Sequence, residues 1–241
     1  MTRERIPALP PTSQIHRRDT HRLIPAKYSA PEDALQEIAD TATQLTDLID
    51  LSNATDEAML THTGLLPAIS PDELASGGPH ARIVNAAFIH AHPQGSRFNS
   101  ADRGAWYAAF QLTAAQAEVA FHKSVHLAEI GRFEDEVEFD DYLADFDGVF
   151  HDLRRARGFK ACLDPASYVA SQALAERLLE RGSLGVVYPS VRRARGTCLA
   201  CFDPKNVRNV RRTQRFRFTW RGKPMPRIRA VEARRKRNAP T

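Results

Sequence analysis

Apolar residues recur at helical spacing in three stretches of the chain. Leu35, Ile38, Ala39, Ala42, Leu45, Leu48 and Ile49 share one face of a helix that Ser29 would cap and Pro31 would open. Thr113 caps a second helix running from Ala114 to Ile130, stopped by Gly131. The third runs from Ser167 to Arg181 and is closed by Gly182. Weaker signals predict a short helix from Thr55 to Thr63, stopped by Gly64 and Pro67, and a helical turn at Ser70-Pro71-Asp72-Glu73. Short apolar runs predict strands at Ile83–Ile89, Gly104–Phe110, Leu184–Tyr188 and Cys198–Phe202. Gln214–Trp220 and Arg227–Glu232 read as a hairpin across Arg221-Gly222-Lys223-Pro224.

Other stretches carry no clear period. Pro7, Pro10, Pro11 and Pro25, set among Arg and His, make residues 1–30 read as an extended arm rather than a folded element. The acidic run from Phe133 to Gly148 fits neither period. Strands mixed with helices without regular alternation predict an α+β fold, a mixed sheet with flanking helices, rather than a doubly wound sheet. The expected division is an N-terminal arm and helical extension over residues 1–78, a main domain over 79–232, and a basic, disordered tail over 233–241.

Charge sharpens this picture. The net charge is +5, yet from Arg192 onward only Asp203 and Glu232 are acidic. A basic pole of that kind attracts anions, whether nucleic acid, acidic protein or nucleotide phosphate. The three cysteines, Cys162, Cys198 and Cys201, do not form a disulfide framework. Cys198 and Cys201 are spaced C-x-x-C, but on a strand they point to opposite faces, which suits packing better than a metal. No metal site is expected. No apolar run reaches the roughly 20 residues that span a bilayer, and the polar, basic N-terminus lacks a secretory core. No membrane partner is therefore expected, and the default compartment is the cytoplasm. Neither a dinucleotide glycine fingerprint nor a P-loop is present.

Four places could carry chemistry. The loop Gly95-Ser96-Arg97-Phe98-Asn99 presents an Arg before a strand, and Trp106 and Tyr107 lie on that strand. Glu118 sits in the helical run among Ala114, Ala115, Ala117, Val119, Ala120 and Phe121. Val187-Tyr188-Pro189-Ser190-Val191-Arg192 ends a strand at a serine. Each has an ordinary reading as well. Glu118 is either an exposed helical carboxylate or a pocket residue that needs an Arg partner such as Arg97 or Arg82. Ser190 is either a loop serine bonding the local backbone or a site hydroxyl, and no nucleophile elbow surrounds it. Tyr107 would serve equally as a core aromatic, and Arg97 as a solvated loop residue.

Taken together and in this order, the four motifs resemble the RES domain family, whose Arg, Glu and Ser match Arg97, Glu118 and Ser190, with Tyr107 as the aromatic between the first two. The resemblance covers roughly Arg82 to Val210. It implies an ADP-ribosyltransferase-like fold and an NAD phosphorylase or glycohydrolase. Such an enzyme cleaves the nicotinamide–ribose bond with phosphate or water as acceptor, and NAD is its substrate rather than a cofactor. It implies the toxin of a bacterial toxin–antitoxin pair, blocked by an antitoxin with a helix-turn-helix domain, as a homo-oligomer or a hetero-oligomer with that partner. Arg97, Tyr107, Glu118 and Ser190 would be catalytic, and Arg82, Asn99, Trp106 and Arg192 would bind substrate. The N-terminal extension, the acidic run and the basic tail depart from the small toxins of the family.

Two other functions fit part of the sequence. An ADP-ribosyltransferase acting on a macromolecule would use the same pocket. A nucleic-acid-binding protein would use Arg215, Arg217 and Arg221 with the interleaved Phe216, Phe218 and Trp220, although a hairpin with one apolar and one Arg face explains them more simply.

Overall fold

Strand β4 (Gly185–Pro189) is the innermost element, and its run Gly-Val-Val-Tyr is buried throughout. A strand covered on both faces has no use for polar alternation. The structure, a computed structural model, describes residues 9–29 and 69–232. Around β4 lie β1 (Thr12–Pro25), β2 (Trp106–Ala109), β3 (Glu134–Asp152), β5 (Thr197–Cys201), β6 (Arg208–Arg221) and β7 (Arg227–Val231). The sheet order is β1-β2-β5-β4-β3-β6-β7. β1 also pairs with β3, so five strands close a circuit, and β6 and β7 extend from it. The β3–β4 pair is parallel and all other pairs are antiparallel.

Among the described residues three α-helices cover this sheet: α1 (Ala81–Ile89), α2 (Leu112–Glu129) and α3 (Val169–Leu179). The pleat divides the core in two. Ala109, Val186, Tyr188, Cys198 and Ala200 face α2 and α3, while Trp106, Ala108, Val187, Leu199 and Cys201 face α1. The two cysteines of the C-x-x-C thus point to opposite faces, and burial pushes the Cys201 thiol up to about 12. None of the helices among the described residues is long and apolar enough to cross a membrane.

Two sequence expectations are corrected, and the unassigned acidic run takes its place. Residues 12–25 are not an arm: β1 pairs with β3 from Thr12 opposite His151 to Pro25 opposite Phe139. Its prolines fall at the strand ends, where a missing N–H costs least. Ile83–Ile89 is not a strand but most of α1, whose buried Ala81, Val84 and Phe88 follow helical spacing. The acidic run is β3, the longest strand, and its charges are matched from β6. Arg221, Arg217 and Arg215 stand directly opposite Glu134, Glu138 and Asp140. Arg215 Nε meets Asp140 at 2.6 Å and Arg217 Nη2 meets Glu138 at 2.6 Å. Opposite charges on facing positions support the pairing. The same register explains the aromatics of β6: Phe216, Phe218 and Trp220 lie on the buried face. They are not available to stack bases. The helices expected over Leu35–Ile49 and Thr55–Thr63 and the basic tail lie outside the described residues.

The position of β1 yields a prediction. A chain truncated to begin at residue 69 would lose one of the partners of β3, together with buried Ile15 and Leu23 and the half-buried Arg22. It is expected to be insoluble or to melt without a cooperative transition. A cooperative melt near that of the full chain would show β1 to be dispensable.

Candidate active site

Small residues bring the site together. At Gly196 an added Cβ would lie 3.0 Å from Ala114 Cβ and 3.0 Å from Ser190 Cβ. Bare Gly196 and short Ala114 therefore let the β4–β5 loop lie against the start of α2. Ser190, just past the end of β4, then donates its hydroxyl proton to Glu118 Oε1 at 2.7 Å. The same Oγ accepts from the backbone N–H of Arg192 at 3.2 Å and of Arg193 at 3.0 Å. With two donors on its lone pairs, the single Ser190 proton is directed at the carboxylate. Cys198, facing Tyr188 across β4 and β5, places its Sγ 3.9 Å from the same Oε1. Burial first, and then the Glu118 charge, raise the Cys198 thiol to about 12, so it stays a protonated neighbour of the carboxylate.

Arg97 also has a structural task. It is only 6% exposed. Its Nη1 donates to Cys162 O at 3.2 Å and to Asp164 O at 2.8 Å, and its guanidinium lies 4.8 Å from the Tyr168 ring centroid. It ties the loop after β3 to the loop before β2. No carboxylate pairs with Arg97 among the described residues, so its charge remains directed at the site. That charge acts on Tyr107, Tyr188, Cys198 and His122. The Arg97 loop is itself fixed. Gly95 has φ of +69°, and a Cβ there would sit 2.3 Å from Asn99 O. Gln172 of α3 donates its amide to Gln94 O and Ser96 O at 3.0 and 3.1 Å.

Tyr107 faces this side of the sheet. Its hydroxyl accepts from Phe98 N and donates to Asn99 Oδ1, both at 2.8 Å. Burial raises its proton affinity, so it remains neutral. Tyr188 is more deeply buried and packs against Phe98 with ring centroids 4.8 Å apart, and both Glu118 and Arg97 act on its hydroxyl.

The structure thus brings Arg97, Tyr107, Glu118 and Ser190 to one side of the sheet. Arg192 joins them, 3.3 Å from the Phe121 ring centroid, with its Nη2 donating to Pro165 O at 2.7 Å and a buried Nε that has no hydrogen-bond partner among the described residues. Three expected substrate contacts are not brought there. Trp106 neighbours Tyr107 on a strand and therefore points to the other face, where it is wholly buried under the Arg22 guanidinium. Arg82 lies on α1, which packs on that same opposite face. Asn99 is buried with its amide committed to Tyr107 and to Ser100 O at 2.6 Å, so it shapes the loop.

Sequence reasoning missed His122, Cys198, Tyr168 and Tyr188. His122 stands one turn after Glu118, at the spacing that shares a helix face. Lost hydration, then the charges of Arg192 and Arg97, hold its imidazole below the usual histidine range. That spacing was visible in the sequence. The approach of Tyr168 to Arg97 spans the chain from one loop to another and has no local signal.

The Ser190–Glu118 contact gives a testable consequence. Ser190→Ala removes the donor that orients the carboxylate, and whatever activity Glu118 supports is expected to fall by about tenfold to a hundredfold, with the fold intact. Comparing kcat of the variant and the parent checks this; an unchanged kcat would reduce Ser190 to a loop-forming residue.

No curated protein matches the chain. Among solved structures it is similar to the crystal structure of the M. tuberculosis MbcT–MbcA toxin–antitoxin complex, at 17% identity over 56% of this chain and 75% of that one, with a TM-score of 0.42. The RES domain model matches residues 74–221, more than half of the 241 residues, and it includes every member of the cluster around Glu118. The chain belongs to the RES domain family.

Proposed function

We propose that this chain cleaves the bond between nicotinamide and ribose in NAD, with Glu118 as the central catalytic residue. The observation that carries the reading is the Ser190–Glu118 hydrogen bond of 2.7 Å. Breaking this bond leaves positive charge on the ribose, much as in glycoside cleavage. A carboxylate with one oxygen fixed by Ser190 presents its other oxygen in a set position to that developing charge, or to the ribose hydroxyls. Arg97, whose charge has no carboxylate partner among the described residues, and Arg192 supply the attraction for the pyrophosphate or for an acceptor phosphate. The half-buried Tyr107 supplies an uncharged aromatic face for the nicotinamide ring. The leaving group departs as neutral nicotinamide, so no strong acid is required of His122.

The RES family's best-known members are toxins, and we read this chain as the toxin of a toxin–antitoxin pair, restrained by a helix-turn-helix antitoxin. Expression in a bacterial host is expected to lower cellular NAD and arrest growth, and Glu118→Gln is expected to do neither. Undiminished NAD during growth arrest would place the toxicity elsewhere. Products formed with and without phosphate separate the two acceptors: ADP-ribose 1-phosphate marks phosphorolysis and ADP-ribose marks hydrolysis. Label from NAD retained on protein would favour an ADP-ribosyltransferase.

A further inference from the structure

At the far end of the sheet, charge is balanced on one side of β6 and not on the other. The Arg side chains of β6 meet the acidic side chains of β3. On its other flank, β7 sets Arg229 opposite Arg217 and Arg227 opposite Thr219. Among the described residues, no ion pair engages Arg227 or Arg229, and no strand pairs with the outer edge of β7. A groove of about 650 Å³ lies over this region, lined by Arg217, Arg221, Lys223, Arg227 and Arg229 against only Glu136 and Glu232 as acids. Met225, 80% exposed, stands at its rim.

We propose that the edge of β7 and this groove bind an acidic, extended segment of a partner protein, which adds to the sheet as a further strand. An open edge offers a row of backbone N–H and C=O groups to a peptide in extended conformation. The molecule itself shows what such a strand would carry. β3 pairs with β6 by placing Glu and Asp at alternate positions opposite Arg, and Arg227 and Arg229 are likewise two residues apart on one face of β7. A second copy of β7 would set Arg against Arg and is disfavoured. Nucleic acid would find cations but no base-stacking surface, because Phe216, Phe218 and Trp220 face the core. It would also leave the strand's backbone groups unpaired.

The test uses the full chain and a fluorescein-labelled peptide of alternating Glu and Thr, followed by fluorescence anisotropy. Saturable binding is expected, weakened by salt and reduced by about tenfold or more in Arg227→Glu/Arg229→Glu. The same peptide N-methylated at alternate residues is expected to lose binding, because methylation removes the edge hydrogen bonds but not the charge. NAD cleavage by the double variant is expected to match that of the parent, since neither residue touches the Glu118 cluster. Three results would overturn the proposal: no binding at about millimolar peptide, binding indifferent to N-methylation, or displacement of the peptide by single-stranded DNA at lower concentration than by unlabelled peptide.

Discussion

Glu118→Gln is expected to lower nicotinamide release from NAD by about a thousandfold or more while leaving the melting temperature unchanged. Gln keeps the length of the side chain and an oxygen that accepts from Ser190, so the 2.7 Å contact has a replacement. What disappears is the negative charge. A change that removes only charge should therefore act on the transition state, whose ribose is cationic, and not on the fold. A thousandfold is about 4 kcal/mol, in the range measured for removing one preorganised electrostatic group. Initial rates and a thermal melt of the same preparation check both halves. If the melt fell with the rate, Glu118 would be a structural anchor of the β4–β5 loop and the catalytic reading would lose its support.

Arg97→Met is expected to show the opposite pattern, a loss of stability as well as of activity. Arg97 donates to two backbone carbonyls of another loop and packs on Tyr168 at a position almost closed to solvent. Met fills part of the volume but leaves both carbonyls without that donor. A buried polar group left unpaired costs about 1–3 kcal/mol. A net loss of about 3 kcal/mol would lower Tm by roughly 6–12 °C in a chain of this size. Arg97→Lys is expected to recover little of this, because one ammonium on a flexible stem does not reproduce the planar, stacked fork. An unchanged melt accompanied by a raised KM alone would instead make Arg97 a substrate holder with no structural part.

The residues that meet around Glu118 were easier to pick out than the strands of the sheet, and particular residues show why. Glu118 and Ser190 were legible because each belongs to a short motif, while the distance between them depends on the small neighbours Ala114 and Gly196, of which only Ala114 lies in those motifs. α2, α3 and the β6–β7 hairpin were legible from local period. β1 was not: Ile15 and Leu23 are the only large apolar side chains it buries, and its stability as a strand comes from β3 on the far side of the chain. The acidic run was obscure for the same reason, since Glu134, Glu138 and Asp140 make sense only beside Arg221, Arg217 and Arg215. Ile83–Ile89 misled because a short, continuous apolar run suits a buried strand and a buried helix equally. Trp106 was a readable error. Adjacent residues of a strand point to opposite faces, so Trp106 and Tyr107 could not both line one site.

The carboxylate of Glu118, fixed by Ser190, is proposed to drive cleavage of the nicotinamide–ribose bond of NAD. The most direct measurement is incubation of the purified full chain with NAD, with free nicotinamide followed by mass spectrometry alongside Glu118→Gln. Nicotinamide released by the parent and not by the variant is the predicted result. No nicotinamide from the folded parent, with or without phosphate, would leave Glu118 without the proposed catalytic role.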